Sequence, residues 1–196
     1  LFEANEGKIH VYENVPYKIA FYTIGQKLDG KRHFYVEDKL AKCIVEDYLT
    51  KRYQERWKDS LEIGVVLGGA DSMIKTAIMS TVKANNRDIY YLLDGDKNKY
   101  PYRDSIVKKE WCDESEQTID ESKIPSEADE YLGEIIKVVT GVEIQFFPSG
   151  NSGVSNSQED ITLKRQFLRY WKSHVFFLSS EREKPENVLL RNLGEH

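Results

Sequence analysis

Apolar and polar positions form two kinds of segment along the chain, short β-branched runs and longer stretches with helical spacing. The short runs predict strands at 33–36, 61–67, 88–93, 142–147 and 174–178. The longer stretches predict helices at about 38–56, 71–84, 126–140 and 159–172. Two alternating runs before them, 9–12 and 17–24, predict a hairpin or two edge strands. The strand, helix, strand, helix, strand order from residue 33 to residue 93 is typical of an α/β fold with a parallel sheet.

Signals for helix ends refine this pattern. Asp71 and Ser126 are predicted N-caps, and Gly141 is the predicted end of the helix that Ser126 begins. Residues 97–125 mix charges and aromatics with few apolar repeats, which predicts a long irregular excursion from the sheet. Residues 149–157, rich in Ser, Gly and Asn, predict a loop.

Composition narrows the class of protein. Hydrophobic residues make up 40% of the 196 residues and charged residues 31%, as in soluble globular proteins. No apolar run approaches the roughly 20 residues that span a bilayer, and the first residues lack the pattern of a signal peptide. Cys43 and Cys112 cannot form a disulfide framework. We therefore expect a cytoplasmic protein with no membrane partner.

The charge is unevenly distributed. A net charge of −5 argues against a protein that merely coats nucleic acid. Residues 110–134 are heavily acidic, whereas the predicted helix at 159–172 is basic. Its cations, Lys164, Arg165, Arg169 and Lys172, are candidate contacts for a phosphate backbone. A solvated basic face is the ordinary alternative.

Acidic side chains follow two of the predicted strands. Asp94 and Asp96 come after the strand at 88–93 with Gly95 between them, so an extended chain directs both carboxylates to one face. Glu37 follows the strand at 33–36, and parallel strands end at one edge, so these three carboxylates are expected to meet. Such a cluster needs a cation or raised pKa values, and oxygen ligands suit Mg²⁺ or Mn²⁺. An Asp-Gly turn and a first-turn helix acid are the ordinary alternatives.

Three of the predicted strands end in a recognisable pattern of residues. They are Phe34-Tyr35-Val36-Glu37-Asp38-Lys39 at the first, Val65-Val66-Leu67-Gly68-Gly69-Ala70-Asp71-Ser72 at the second, and Asp94-Gly95-Asp96 at the third. This pattern resembles the Toprim domain. The match covers about residues 32–98. It is most similar to the Toprim domain of OLD-family (overcoming lysogenization defect) nucleases, which follows an ABC-type ATPase domain in one polypeptide. Proteins of that family act in phage defence, including alongside some retrons.

The resemblance implies a Toprim (Rossmann-like), mostly parallel sheet at 31–196, with helices on both faces and an insertion at about 97–157. Residues 1–30 would be the tail of an ATPase-type domain or a connector. The implied activity is endonuclease cleavage with Mg²⁺ or Mn²⁺, on DNA rather than RNA. ATP would act only through a domain absent from this chain. A homo-oligomer and a defence-system partner are expected as well.

The resemblance also implies a set of site residues. Glu37, Asp94 and Asp96 would be catalytic, and the same three with Asp38 and Glu186 would hold the metal. Glu186 enters because residues 176–190 resemble a strand, an arginine-containing turn and the glutamate-asparagine pair of OLD-type domains. A helix N-terminus with Pro185 just inside it is the ordinary alternative for Glu186.

The chain departs from the family pattern at three places. Asp38 stands where the family usually has Gly, and Ala41 stands where many members carry a second acid. The lysine that OLD-type enzymes use downstream of the glutamate-asparagine pair does not appear before His196. One alternative is therefore a degenerate or regulatory Toprim module that binds nucleic acid or a partner without cleaving. Topoisomerase or primase chemistry would need further domains.

Overall fold

A computed structural model describes residues 2–5, 8–11, 31–146, 158–178, 182–187 and 190. The predicted run at 17–24 and the predicted loop at 149–157 lie outside these ranges. At the N-terminus, β1 (Phe2–Asn5) pairs antiparallel with β2 (Lys8–Val11). The described hairpin therefore joins the run at 9–12 to the residues before it.

The other described strands form two sheets. They are β3 (Arg32–Val36), β4 (Leu61–Val65), β5 (Ile89–Leu93), β6 (Cys112–Asp113), β7 (Thr118–Ile119) and β8 (Val175–Phe177). The main sheet has the order β4-β3-β5-β8, and all its neighbours are parallel. The small β6-β7 pair is antiparallel. The predicted α/β fold with a parallel sheet is confirmed, with strand ends shifted by one or two residues.

The predicted strand at 142–147 is wrong over its described part, since 142–146 contain no strand. Thr140 Oγ1 accepts from the Val142 N–H at 3.1 Å, and its single O–H lies within hydrogen-bond distance of the carbonyl oxygens of Ile136 and Val142, at 2.8 and 3.0 Å. The hydroxyl thus occupies the Val142 N–H that would begin a ladder. The β-branched residues of this stretch predict a strand, and they do not indicate that the Thr140 hydroxyl competes for its backbone hydrogen bonds.

The described helices are α1 (Lys39–Tyr53), α2, α3 (Leu132–Thr140) and α4 (Gln158–His174). We use α2 for a continuous helix made of Gly69–Ser72, a π-helical stretch Met73–Ile78, and Met79–Lys83. None of the helices in the described ranges is both long and apolar enough to cross a membrane.

Helices cover both faces of the main sheet. Because successive strand residues point to opposite faces, Val36 and Leu92 join one apolar cluster, whereas Tyr35, Tyr91 and Leu93 join the other. The smaller cluster packs against α1. The larger one includes buried side chains of α2, α3 and α4, together with Trp111, Ile119 and other apolar residues of the 97–125 segment. That segment, described throughout, contains only β6, β7 and short 3₁₀ turns.

Two predicted helix starts are corrected. The helix predicted to begin at Asp71 begins at Gly69, and its N-cap is Gly68 in the left-handed conformation, with φ of 106°. Glycine adopts this conformation without a Cβ clash, so the chain turns into the helix before Asp71 is reached. Ser126 begins a 3₁₀ segment, Ser126–Tyr131, and α3 starts only at Leu132. Gly141 ends α3 as predicted, with φ of 73°.

Gly64 provides a test of the sheet packing. A Cβ added there would lie 2.6 Å from the Tyr35 ring, which packs in the core beside Tyr91. We expect Gly64→Ala to lower the free energy of unfolding, measured in urea, by about 1 kcal/mol, because the ring must shift. The matched control is Gly133→Ala on α3, where the nearest atom is 3.9 Å away and stability should hold or rise slightly. Equal stability of Gly64→Ala and the native protein would contradict the close contact.

Candidate metal centre

Glu37 joins three elements at the carboxyl edge of the sheet. The register pairs Val36 of β3 with Leu92 of β5, so the residues that follow leave the sheet side by side. Glu37 Oε2 accepts a hydrogen bond from the Asp94 N–H at 3.3 Å, and Oε1 accepts one from the Ala70 N–H at 3.2 Å. The carboxylate therefore ties the end of β3 to the end of β5 and to the start of α2.

The first-turn alternative for Glu37 is wrong, since α1 begins after it and has no acid in its first turn. Asp38 is the N-cap of α1, and its Oδ1 accepts from the Ala41 N–H at 2.8 Å. This bond satisfies one of the otherwise unpaired donors at the helix start. One carboxylate oxygen of Asp38 is therefore engaged in capping α1.

Asp94 and Asp96 carry the unusual feature of this edge. In each, Oδ1 is buried and has no hydrogen-bond partner. Asp96 Oδ2 lies 3.5 Å from Lys97 Nζ. The chain does turn after Asp94, in a 3₁₀ turn Gly95–Lys97, but the Asp94 side chain does not cap that turn. The Asp-Gly turn therefore exists and does not use the carboxylate.

The electrostatic environment of this edge acts mainly on the pKa of Asp94. The pKa of Asp94 is raised to about 6, first by its burial and then by the negative charges of Glu37, Asp38, Asp96 and Glu186, in that order. The other four acids of the predicted metal set therefore act on this one carboxyl group. Buried carboxylate oxygens without a partner are costly, so a bound cation would stabilise this arrangement.

Glu186 reaches this edge from a separate segment. It lies in helical backbone that begins at Pro185, where Pro185 is buried and Glu186 is exposed. The Leu178 N–H donates to the Leu93 carbonyl oxygen at 2.8 Å, which brings Leu178 beside the end of β5. The helix start at Pro185 agrees with the ordinary alternative, and the charge of Glu186 makes the smallest of the named contributions to the raised pKa of Asp94.

The donor set fits a hard cation in its chemistry. Among the described residues, no three His, Cys, Asp or Glu side chains are already placed to hold a metal ion together. Two of the acids nonetheless offer buried oxygens that lack any partner. Mg²⁺ is commonly held by one or two carboxylates with several waters, so Asp94 and Asp96 suit it without a complete protein cage.

The four cations predicted on the basic helix are paired with acids of this chain. Lys164 lies 2.6 Å from Asp160, and both are buried. The guanidinium of Arg165 bonds Glu121 and Asp129, and that of Arg169 bonds Glu121. Lys172 lies between Asp113, Glu116 and Asp120, at 3.0 to 3.3 Å. The ion pairs of Arg165, Arg169 and Lys172 join α4 to the acidic segment, whereas that of Lys164 lies within α4. A phosphate backbone would have to displace these pairs.

A second group of cations was missed at the sequence level. An open cleft of about 580 Å³ adjoins Asp96 and is lined by Lys99, Arg103 and Arg182, among others. The sequence does carry a signal, since Lys97-Asn98-Lys99-Tyr100-Pro101-Tyr102-Arg103 interleaves cations with tyrosines. Such interleaving is typical of surfaces that contact single-stranded nucleic acid.

Comparison with known proteins yields no matching family model, no matching curated protein and no matching solved structure. The function of this edge therefore has to be inferred from the residues themselves. The stability of the fold does not by itself explain why Asp94 and Asp96, beside Glu37, each have a buried carboxylate oxygen without a partner.

Proposed function

We propose that the protein is a nuclease that uses Mg²⁺ or Mn²⁺ to hydrolyse phosphodiester bonds of nucleic acid, and that its fold is a Toprim domain of the OLD type. One observation carries this proposal. Asp94 and Asp96, at the end of the central strand β5, each keep a buried carboxylate oxygen without a partner. In α/β sheets this edge is the usual place for a ligand site.

The residues of the site would have different roles. Asp94 and Asp96 would be the principal metal ligands, because their oxygens are free for a cation. Glu37 holds the Asp94 backbone in place through its own carboxylate and stands next to the same site. Asp38 and Glu186 would complete the negative charge around it. A bound metal would supply an activated water and stabilise the charge that develops on the phosphate.

Further parts of the proposal come from the resemblance. Residues 31–196 would be the Toprim domain with an insertion at about 97–157, and residues 1–30 would lead from an ATPase domain of the same protein. DNA is the favoured substrate. The protein would act as a homo-oligomer in the cytoplasm, within an anti-phage system that includes a partner.

Cleavage assays test the proposal directly. Plasmid, single-stranded DNA and RNA are incubated with the protein and Mg²⁺ or Mn²⁺, beside an Asp94→Asn/Asp96→Asn variant. We expect metal-dependent cleavage by the native protein and none by the variant, because the two ligand carboxylates are gone. The matched control is Asp47→Asn/Asp59→Asn, which removes the same charge from two exposed positions and should cleave normally.

Two outcomes would contradict the nuclease proposal. Equal cleavage by the native protein and the Asp94→Asn/Asp96→Asn variant would place the activity elsewhere. Absence of cleavage on all three polymers, with either metal, would exclude the activity for the isolated chain.

A degenerate Toprim module is the second candidate, and two observations favour it. Ala41, which stands where many family members carry an acid, is buried at 1% exposure in the apolar cluster beneath α1. The described residues also lack a preassembled group of three metal-binding side chains. This candidate predicts that Mg²⁺ raises the melting temperature of the native protein but not of Asp94→Asn/Asp96→Asn, while neither cleaves.

A further inference from the structure

The open cleft of about 580 Å³ borders the candidate metal centre and is distinct from it in charge. Asp96 is one of the residues that line the cleft, so the cleft adjoins one of the carboxylates of the candidate metal centre. The remaining polar lining is predominantly basic and aromatic: Asn98, Lys99, Tyr100, Tyr102, Arg103 and Arg182. The carboxylate of Asp104 also faces it. A basic cleft beside an acidic site is unexpected in a protein with a net charge of −5.

The cations of the cleft differ from those of α4 in their partners. Lys99 Nζ donates to the backbone carbonyl oxygen of Asp96 at 3.4 Å, and this contact leaves its charge uncompensated. Within the described part of the chain, Lys99, Arg103 and Arg182 form no ion pair, whereas each cation predicted on α4 forms at least one. Asp104 uses its Oδ1 to accept the Ile106 N–H at 3.0 Å. Asp104 keeps its negative charge, but the three cations of the lining outnumber its two carboxylates, Asp96 and Asp104, so the cleft retains a net positive charge for an anion.

An aromatic platform lies among these cations. Tyr100 is partly exposed, and its ring meets the Tyr102 ring edge to face with centroids 5.7 Å apart. Tyr102 packs against the larger core cluster and so limits the movement of its neighbour. A partly exposed ring that is fixed in position stacks readily on a base, and the surrounding cations contact the flanking phosphates.

We propose that this cleft binds single-stranded nucleic acid, with Lys99, Arg103 and Arg182 on the phosphates and Tyr100 stacked on a base. The inference extends the proposed function, because Asp96 in the lining of the cleft would place the bound strand beside the carboxylates. The volume matches pockets that hold small ligands, so it admits a base together with its flanking phosphates. A duplex keeps its bases stacked inside and offers nothing to Tyr100, which is why a single strand fits better.

The test measures binding without cleavage. A fluorescently labelled oligothymidylate is titrated with the protein in EDTA, between 50 and 200 mM salt, and anisotropy gives the affinity. We expect Lys99→Ala/Arg103→Ala to bind at least about tenfold more weakly and to lower the salt slope by about 1.4, since each phosphate contact on a single strand contributes about 0.7. Arg56→Ala/Lys58→Ala removes the same charge from exposed residues that precede β4, and should match the native protein.

A second variant separates stacking from charge. Tyr100→Ala is expected to weaken binding about tenfold at every salt concentration and to leave the slope unchanged, because it removes a base contact and no phosphate contact. Tyr100→Phe keeps the ring and should bind like the native protein. The same oligonucleotide annealed to its complement should bind more weakly and respond little to Tyr100→Ala.

Native affinity and salt slope in Lys99→Ala/Arg103→Ala would overturn the inference, as would equal or tighter binding of the duplex. The two proposals fail in different ways. If the single strand binds as expected and no polymer is cleaved, the cleft stands and the nuclease proposal fails. If Asp94-dependent cleavage occurs and the cleft variants bind and cleave like the native protein, only the cleft inference fails.

Discussion

Replacing Asp94 by Asn is expected to stabilise the metal-free protein and to abolish the proposed metal-dependent nuclease activity. At pH 7 the free energy of unfolding in EDTA should rise by about 1–2 kcal/mol. In the presence of Mg²⁺, cleavage should fall by about a thousandfold or more, since a metal ion supplies several kcal/mol of transition-state stabilisation. A substitution that raises the free energy of unfolding and lowers activity identifies a side chain that serves function and destabilises the fold.

The gain in stability follows from the pKa of Asp94. That pKa is about 6 in the folded protein against an ordinary value of 3.8, first because of burial and then because of the neighbouring acids. The folded state therefore binds the proton more tightly than the unfolded state, and stability falls as pH rises from about 4 to about 6. Two pKa units correspond to about 3 kcal/mol, which solvent screening of a partly exposed group reduces to about 1–2. Asparagine has no charge to bury, so the variant should lack this pH dependence.

Urea unfolding at pH 4 and pH 7, both in EDTA, measures the effect. The native protein should lose stability between the two values relative to Asp94→Asn. Asp47→Asn provides the control, because that side chain is exposed and forms an ion pair with Lys51 on the same helix. A lower stability of Asp94→Asn than of the native protein at pH 7 would show that the charge of Asp94 is compensated in the folded state.

The sheet edge illustrates what the sequence allows to be predicted. The apolar runs of β3 and β5 and their spacing identify two parallel strands, and parallel strands end at one edge. These facts alone predict that the ends of β3 and β5 bring Glu37 and Asp94 together, and the structure joins the Glu37 carboxylate to the Asp94 backbone N–H. The described residues do not, however, assemble three of the acids into one metal-holding group. The inference works because it depends on chain direction and alternation, which are properties of the backbone.

Helix starts and ion pairs depend on information that local pattern does not contain. Asp71 has the chemistry of an N-cap, but the left-handed backbone at Gly68 begins the helix before it. Arg165 has the appearance of a free cation in its own helix, yet its partners Glu121 and Asp129 lie 44 and 36 residues earlier. The acidic composition of 110–134 was visible, but its pairing with α4 requires the packed structure.

Replacing Glu37 by Ala is expected to have the opposite effect on stability from Asp94→Asn. The change leaves the N–H groups of Ala70 and Asp94 without an acceptor at the edge of the sheet. Each unsatisfied donor costs about 1–3 kcal/mol, and relief of the repulsion between Glu37 and Asp94 offsets part of this, so we expect a net loss of about 2 kcal/mol at pH 7. Glu37→Gln keeps one acceptor oxygen and should lose less.

A double-mutant cycle separates the two contributions of Glu37. In the Asp94→Asn background the repulsion is already gone, so Glu37→Ala should cost more there than in the native protein, by about 1 kcal/mol. Urea unfolding of the four proteins at pH 7 in EDTA gives this coupling. The same coupling should vanish at pH 4, where Asp94 is largely protonated because its pKa is about 6. An equal cost of Glu37→Ala in both backgrounds at pH 7 would show that the two carboxylates do not repel each other. The acids at this edge would then be separate structural groups, and the case for a shared cation between them would be lost.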